Sequence, residues 1–161
     1  MKDLVWETYA DKFSELESMD LTDENAAEWL RRWSEIHDEV EDLGNRIYVS
    51  KGVDTNDPVA KDAFEKFNNV IFPKIQTAEQ ALKEKFLHSG IEVPGFEIPL
   101  RNMRAEAALY REENIPLQTE EMQATADYDE IVGSQTVQWE GAEVTLSALS
   151  FLSEDPDRDL R

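Results

Sequence analysis

The sequence predicts a mainly α protein: an antiparallel bundle of helical hairpins with one small β-hairpin near the C-terminus. Three observations carry this. Apolar residues recur at steps of three and four along most of the chain between Leu4 and Val132. Proline, glycine and capping residues punctuate those stripes where helices should start and stop. After Val132 the period shortens to strand-like alternation around a glycine.

The first stripe is Val5, Tyr9, Phe13 and Leu16, with Asp11, Glu15 and Glu17 turned away, and it predicts a helix from Leu4 to Leu16. Met19-Asp20-Leu21-Thr22 interrupts it, and Thr22 or Asp23 can accept a free N–H to cap the next helix. That long helix is expected from about Glu24 to Tyr48, carrying Ala26, Trp29, Trp33, Ile36, Val40, Leu43 and Ile47. Gly44 inside that stripe costs about 1 kcal/mol relative to Ala, so it marks close approach of another helix. Gly52 and Asp54-Thr55-Asn56 form the next loop.

Asp57-Pro58 is a helix start, a capping carboxylate followed by a proline whose missing N–H costs nothing at the first helical position. Phe64, Phe67, Ile71, Ile75, Ala78, Leu82 and Phe86 carry the stripe on to Gly90, and Pro73 within it predicts a kink or break. Residues 91–100, with Pro94-Gly95 and Pro99, read as a connector. A helix over about Arg101–Asn114 should turn Met103, Ala107, Ala108 and Tyr110 to the core and end at Pro116. Thr119-x-x-Met122 opens a further helical stretch to about Val132, marked by Tyr128 and Ile131. Residues 136–139 and 143–146 then form a hairpin about Glu140-Gly141-Ala142, and Ser147 caps a short helix over Ala148–Leu152. Asp155-Pro156 repeats the signal of Asp57-Pro58. It reads either as a frayed acidic tail or as the start of a helix cut from something longer, since one turn is not worth nucleating in water. The domain reading is helical hairpins over 1–90, a connector over 91–100, and helices plus the β-hairpin over 101–161.

With 161 residues, 40% hydrophobic and 32% charged, the chain can bury a core. Its net charge of −20 is uneven: −10 over residues 1–60, +1 over 61–111 and −11 over 112–161. The nearly neutral middle is therefore the expected packing centre. Nucleic acids and anionic membranes need a cationic footprint that this chain lacks, so neither is an expected partner. There is no Cys, hence no disulfide framework and no thiolate chemistry. The start carries charge among its apolar residues, unlike a signal peptide. No run reaches the roughly 18 apolar residues needed to cross a bilayer. A soluble, cytoplasmic protein is expected.

Chemistry is sparse. His37 and His88 are the two histidines, and neither belongs to a His-Glu-x-x-His zinc motif or a Glu-x-x-His di-iron pair. Both read as helix-surface or boundary residues, His37 beside Trp33 and His88 near a helix C-terminus. P-loop, dinucleotide-binding and nucleophile-elbow motifs are missing. Acidic clusters such as Asp38-Glu39-x-Glu41-Asp42 lack EF-hand spacing. Trp29 and Trp33, one turn apart, read as core rather than as a ligand platform. No catalytic, cofactor-binding or metal residue is assigned.

From about Ile71 onwards the chain resembles the N-terminal region of oligoendopeptidase F-like zinc metallopeptidases, relatives of thimet oligopeptidase. The resemblance rests on residues 101–117 (Arg101-Asn102-Met103-Arg104 through Asn114-Ile115-Pro116-Leu117), on residues 128–141 from Tyr128-Asp129-Glu130-Ile131 to Trp139-Glu140-Gly141, on Thr145-Leu146-Ser147-Ala148-Leu149, and on the closing Asp155–Arg161. It implies an endopeptidase acting on short peptides in a helical channel, with a zinc held by two His and a Glu downstream of the residues present here. No catalytic or metal residue carries over, and zinc is expected only in the full-length enzyme. The implied role is a non-catalytic N-terminal domain or fragment forming one wall of the channel. Its implied partners are the catalytic domain of the same polypeptide and, in the intact enzyme, short peptides. The alternative is a stand-alone acidic interaction module without activity. A fragment should leave Phe151, Leu152 and part of the hairpin solvent-facing or buried by self-association.

Overall fold

A computed structural model describes residues 5–55 and 57–159. Expectations that fall on Leu4, Asn56, Leu160 and Arg161 lie outside those residues. The fold is mainly α with one two-stranded antiparallel sheet, as the patterning predicts. Among the described residues six α-helices run in order: α1 Glu7–Ser18, α2 Ala26–Val53, α3 Pro58–Lys66, α4 Phe72–Ser89, α5 Glu97–Leu109 and α6 Asn114–Ser134. A π-helical turn over Phe67–Ile71 joins α3 to α4. Strands β1 (Thr136–Trp139) and β2 (Ala142–Thr145) precede a 3₁₀ segment, Ser147–Glu154. The chain divides into two compact units, Met1–Glu120 and Glu121–Arg161.

The first unit holds most of the core. Tyr9, Phe13 and Leu16 of α1 are buried, and Val5 is exposed. α2 buries Trp29, Trp33, Ile36, Val40 and Ile47 along one stripe. Trp29 stacks on Phe86 of α4 at 5.9 Å and meets Trp33 edge-on at 5.4 Å. Its indole Nε1 donates to the Leu16 carbonyl at 2.9 Å, satisfying one of the orphan acceptors at the C-terminus of α1. Lys85 of α4 donates to two more, the carbonyls of Glu17 and Met19.

Several boundaries differ from the sequence reading, each for a local reason. α2 begins at Ala26, and neither Thr22 nor Asp23 caps it. Instead Asn25 folds back, its Oδ1 accepting from the Thr22 N–H and its Nδ2 donating to the Asp20 carbonyl. Gly52 continues α2 rather than breaking it. Asp57 does cap α3, its carboxylate accepting from the Val59 N–H at 2.8 Å. α5 begins at Glu97, because Pro99 falls in the first turn, where no intrahelical N–H is needed. Pro116 likewise lies in the first turn of α6 and opens a helix instead of ending one. α5 stops at Leu109 with Ala108 exposed; Leu100 is its buried residue.

Pro73 perturbs the helix as expected, by a particular route. Its ring would collide with the carbonyl four residues back, that of Asn69. The π turn just before it widens the helix, with the Phe72 N–H reaching back to Phe67. Fitting an extra residue into the turn shifts the phase of the stripe. Phe67 is therefore only half-buried, and Asn68 enters the core at 4% exposure. Gly44 marks the close approach expected of it, since a Cβ there would lie 3.1 Å from Cζ of Phe67.

In the second unit the hairpin pairs Thr136 with Thr145 and Trp139 with Ala142, so Ala142 belongs to the second strand rather than to the expected turn, and Leu146 lies beyond it. Glu140 (φ 51°) and Gly141 (φ 83°) form its two-residue turn, both in the left-handed region that the right-handed twist of a tight hairpin demands. Thr145 rather than Ser147 caps the following segment, its Oγ1 accepting from the Ala148 N–H. Asp155 accepts from the Asp157 N–H at 2.8 Å, the same contact that Asp57 makes. No helix follows it among the described residues. Phe151, Val137 and Leu146 are exposed and Leu152 half-buried.

Candidate functional site

Three helices of the first unit each direct a pair of residues one turn apart towards a common cleft. α2 supplies Trp33 and His37, α4 supplies Glu79 and Lys83, and α5 supplies Asn102 and Glu106. Spacing of four keeps both members of a pair on one helical face, so three such faces line one concavity. The cleft measures about 430 Å³ and is completed by Leu30, Phe96, Pro99 and Met103. On the other side of Glu79, Lys83 and Glu106 lies a second cleft of about 340 Å³, reaching Tyr110 and Ile115.

Glu79 is the centre of this arrangement. Its side chain is 17% exposed. One oxygen, Oε2, accepts from the Trp33 indole at 2.6 Å, and Oε1 lies 3.4 Å from Nδ1 of His37. Burial pushes its pKa above the usual carboxylate value; the bond from Trp33 and the nearness of His37 and Lys83 pull the other way without cancelling it. Lys83 is engaged 2.7 Å from Glu106.

His37 is exposed on α2 beside Trp33, and His88 is exposed near the C-terminus of α4. Nδ1 of His37 faces Glu79 at 3.4 Å and its Nε2 faces Glu41 at 3.5 Å. Among the described residues no group of three His, Asp or Glu side chains is placed to hold a metal ion. Also among them, no helix is long and apolar enough to cross a membrane. The sequence reading missed Glu79, although the pairs Trp33/His37, Glu79/Lys83 and Asn102/Glu106 are all visible at spacing four.

Residues 3–92 match the family described as Peptidase M3 N-terminal domain. The chain belongs to that family. The match covers α1 to α4, whereas the resemblance to oligoendopeptidase F-like enzymes rests mainly on later residues, with 71–92 common to both. Two of the three helices lining the cleft, α2 and α4, lie within the matched region. Neither the curated proteins nor the solved structures contain a significant match.

Proposed function

We propose that this chain is the non-catalytic N-terminal region of an oligoendopeptidase F-like M3 peptidase. In the whole enzyme it forms one wall of a channel that admits short peptides to a zinc centre carried by a catalytic domain of the same polypeptide. The observation that carries this reading is the family match over residues 3–92. Such a wall works by exclusion, keeping folded proteins and bulk water from the reacting centre.

The purified chain, given zinc and a quenched fluorescent peptide, should show no turnover above buffer. Chelator-sensitive cleavage by this chain alone would refute the reading. Fused to an M3 catalytic domain, it should preserve cleavage of short peptides while blocking cleavage of a folded protein. Equal rates on both substrates with and without the N-terminal region would remove the channel-wall role.

One observation favours a second reading, an acidic interaction module acting alone. Tyr128, Ile131 and Phe151 are 64%, 62% and 58% exposed in a unit that carries ten acidic and two basic side chains. Light scattering separates the readings. Concentration-dependent self-association abolished by Phe151→Ser and Ile131→Ser supports the module, and a monomer that cleaves peptides only when fused to a catalytic domain supports the scaffold.

A further inference from the structure

We propose that the cleft between α2, α4 and α5 is a binding site for a small organic cation, an ammonium group on an apolar stem. The inference is independent of any peptidase activity of a longer protein, since it concerns side chains of the first unit alone.

Charge is the first argument. Two carboxylates, Glu79 and Glu106, line the cleft with one lysine, Lys83, and that lysine is engaged by Glu106 at 2.7 Å. A carboxylate removed from water is stable when a positive partner replaces its hydration. Glu79 lacks that partner at full strength, because its bonds are to a neutral indole and to an imidazole at 3.4 Å. Its raised pKa reports the same shortfall. An ammonium group supplies three donors and one positive charge, which is the complement of what is missing.

Shape is the second argument. The cleft is in the size range of sites for small molecules, and its lining combines apolar side chains with polar ones. Leu30, Phe96, Pro99 and Met103 supply the apolar lining, and the Trp33 indole N–H is bonded to Glu79. Apolar side chains beside a carboxylate favour an organic cation over a hydrated metal ion, because the stem buries apolar surface while the carboxylate takes the charge.

Positioning is the third. The Trp33 bond at 2.6 Å fixes the Glu79 carboxylate, and Trp33 is itself locked against Trp29. The acceptor is therefore set before a ligand arrives, which reduces the ordering needed on binding.

The test is a titration of the purified chain with 2-phenylethylammonium, followed by the indole N–H resonance of Trp33 and the backbone amides of α4 and α5. A saturable shift centred on those residues is expected. The matched anion 3-phenylpropionate should bind at least about tenfold more weakly. Glu79→Gln, which retains an acceptor for Trp33, should weaken the ammonium by about tenfold or more. Met103→Trp, which fills the apolar wall and leaves Glu79 in place, should abolish binding; it carries the test if Glu79→Gln unfolds. Equal binding of cation and anion, undiminished binding by both variants, shifts centred elsewhere, or the lack of any saturable shift would each overturn the proposal.

Discussion

Trp29 has several partners at once: it stacks on Phe86, meets Trp33 edge-on and donates to the Leu16 carbonyl. Its removal is therefore felt in three helices. Trp29→Phe should cost about 1–3 kcal/mol by leaving a buried carbonyl unpaired, and Trp29→Ala roughly 3–5 kcal/mol by opening a cavity as well. Urea denaturation measures both. Two carboxylates should titrate with opposite signs. Burial raises Glu79, so its contribution to stability is fully present below the ordinary value of 4.5 and is lost as pH rises through the higher folded value. The stability of the wild type relative to Glu79→Gln should therefore fall with rising pH over that window. Glu97 is lowered by hydrogen bonds from its own backbone N–H and that of Gly95. Its contribution is present above 4.5 and disappears as pH falls through the lower folded value, so Glu97→Gln should be the less stable protein above 4.5 and draw level only below that folded value. Melting curves across pH for the two variants check both signs.

At the scale of elements, two glycines of α2 should respond oppositely to substitution. Nothing lies within 4 Å of a Cβ at Gly52, so Gly52→Ala should stabilise by up to about 1 kcal/mol through helix propensity alone. At Gly44 the Phe67 ring stands 3.1 Å away, and Gly44→Leu should destabilise by about 1–3 kcal/mol through overpacking. Thermal melts of the two variants decide this. If Gly44→Leu were neutral, the contact between α2 and the π turn would not be tight. The same contact shows where sequence periodicity fails. The stripe through Phe67 was legible, and so was a disturbance at Pro73. That the disturbance takes the form of a π turn, which brings Asn68 inward and leaves its Nδ2 without a hydrogen-bond partner, was not. A kink and a widened turn remove the same proline clash, and the choice between them depends on what packs against the helix.

For the molecule as a whole, a net charge of −20 sets a self-repulsion that added salt screens. Raising the salt from a few tens of millimolar to about half molar should increase the melting temperature, by about 2–4 °C for each kcal/mol of relieved repulsion in a chain of this size. Calorimetry at several salt concentrations tests it; an unchanged or lower melting temperature would show that local pairs such as Lys12–Glu39 and Arg32–Glu15 outweigh the net charge. The helical class, the existence of the hairpin, the Asp57 cap and the close approach at Gly44 are legible in the sequence alone. Each depends on neighbours within a few residues, or on a period that repeats along one element. The Glu79 cleft does not. Trp33, Glu79 and Asn102 are separated by 46 and 23 residues in the chain, and each belongs to an unexceptional pair at spacing four. Only tertiary packing, led by Trp29 on Phe86 and closed by α5, turns three ordinary helix faces towards each other. Burial then gives one carboxylate among thirty-six acidic residues a raised pKa and a cavity to face.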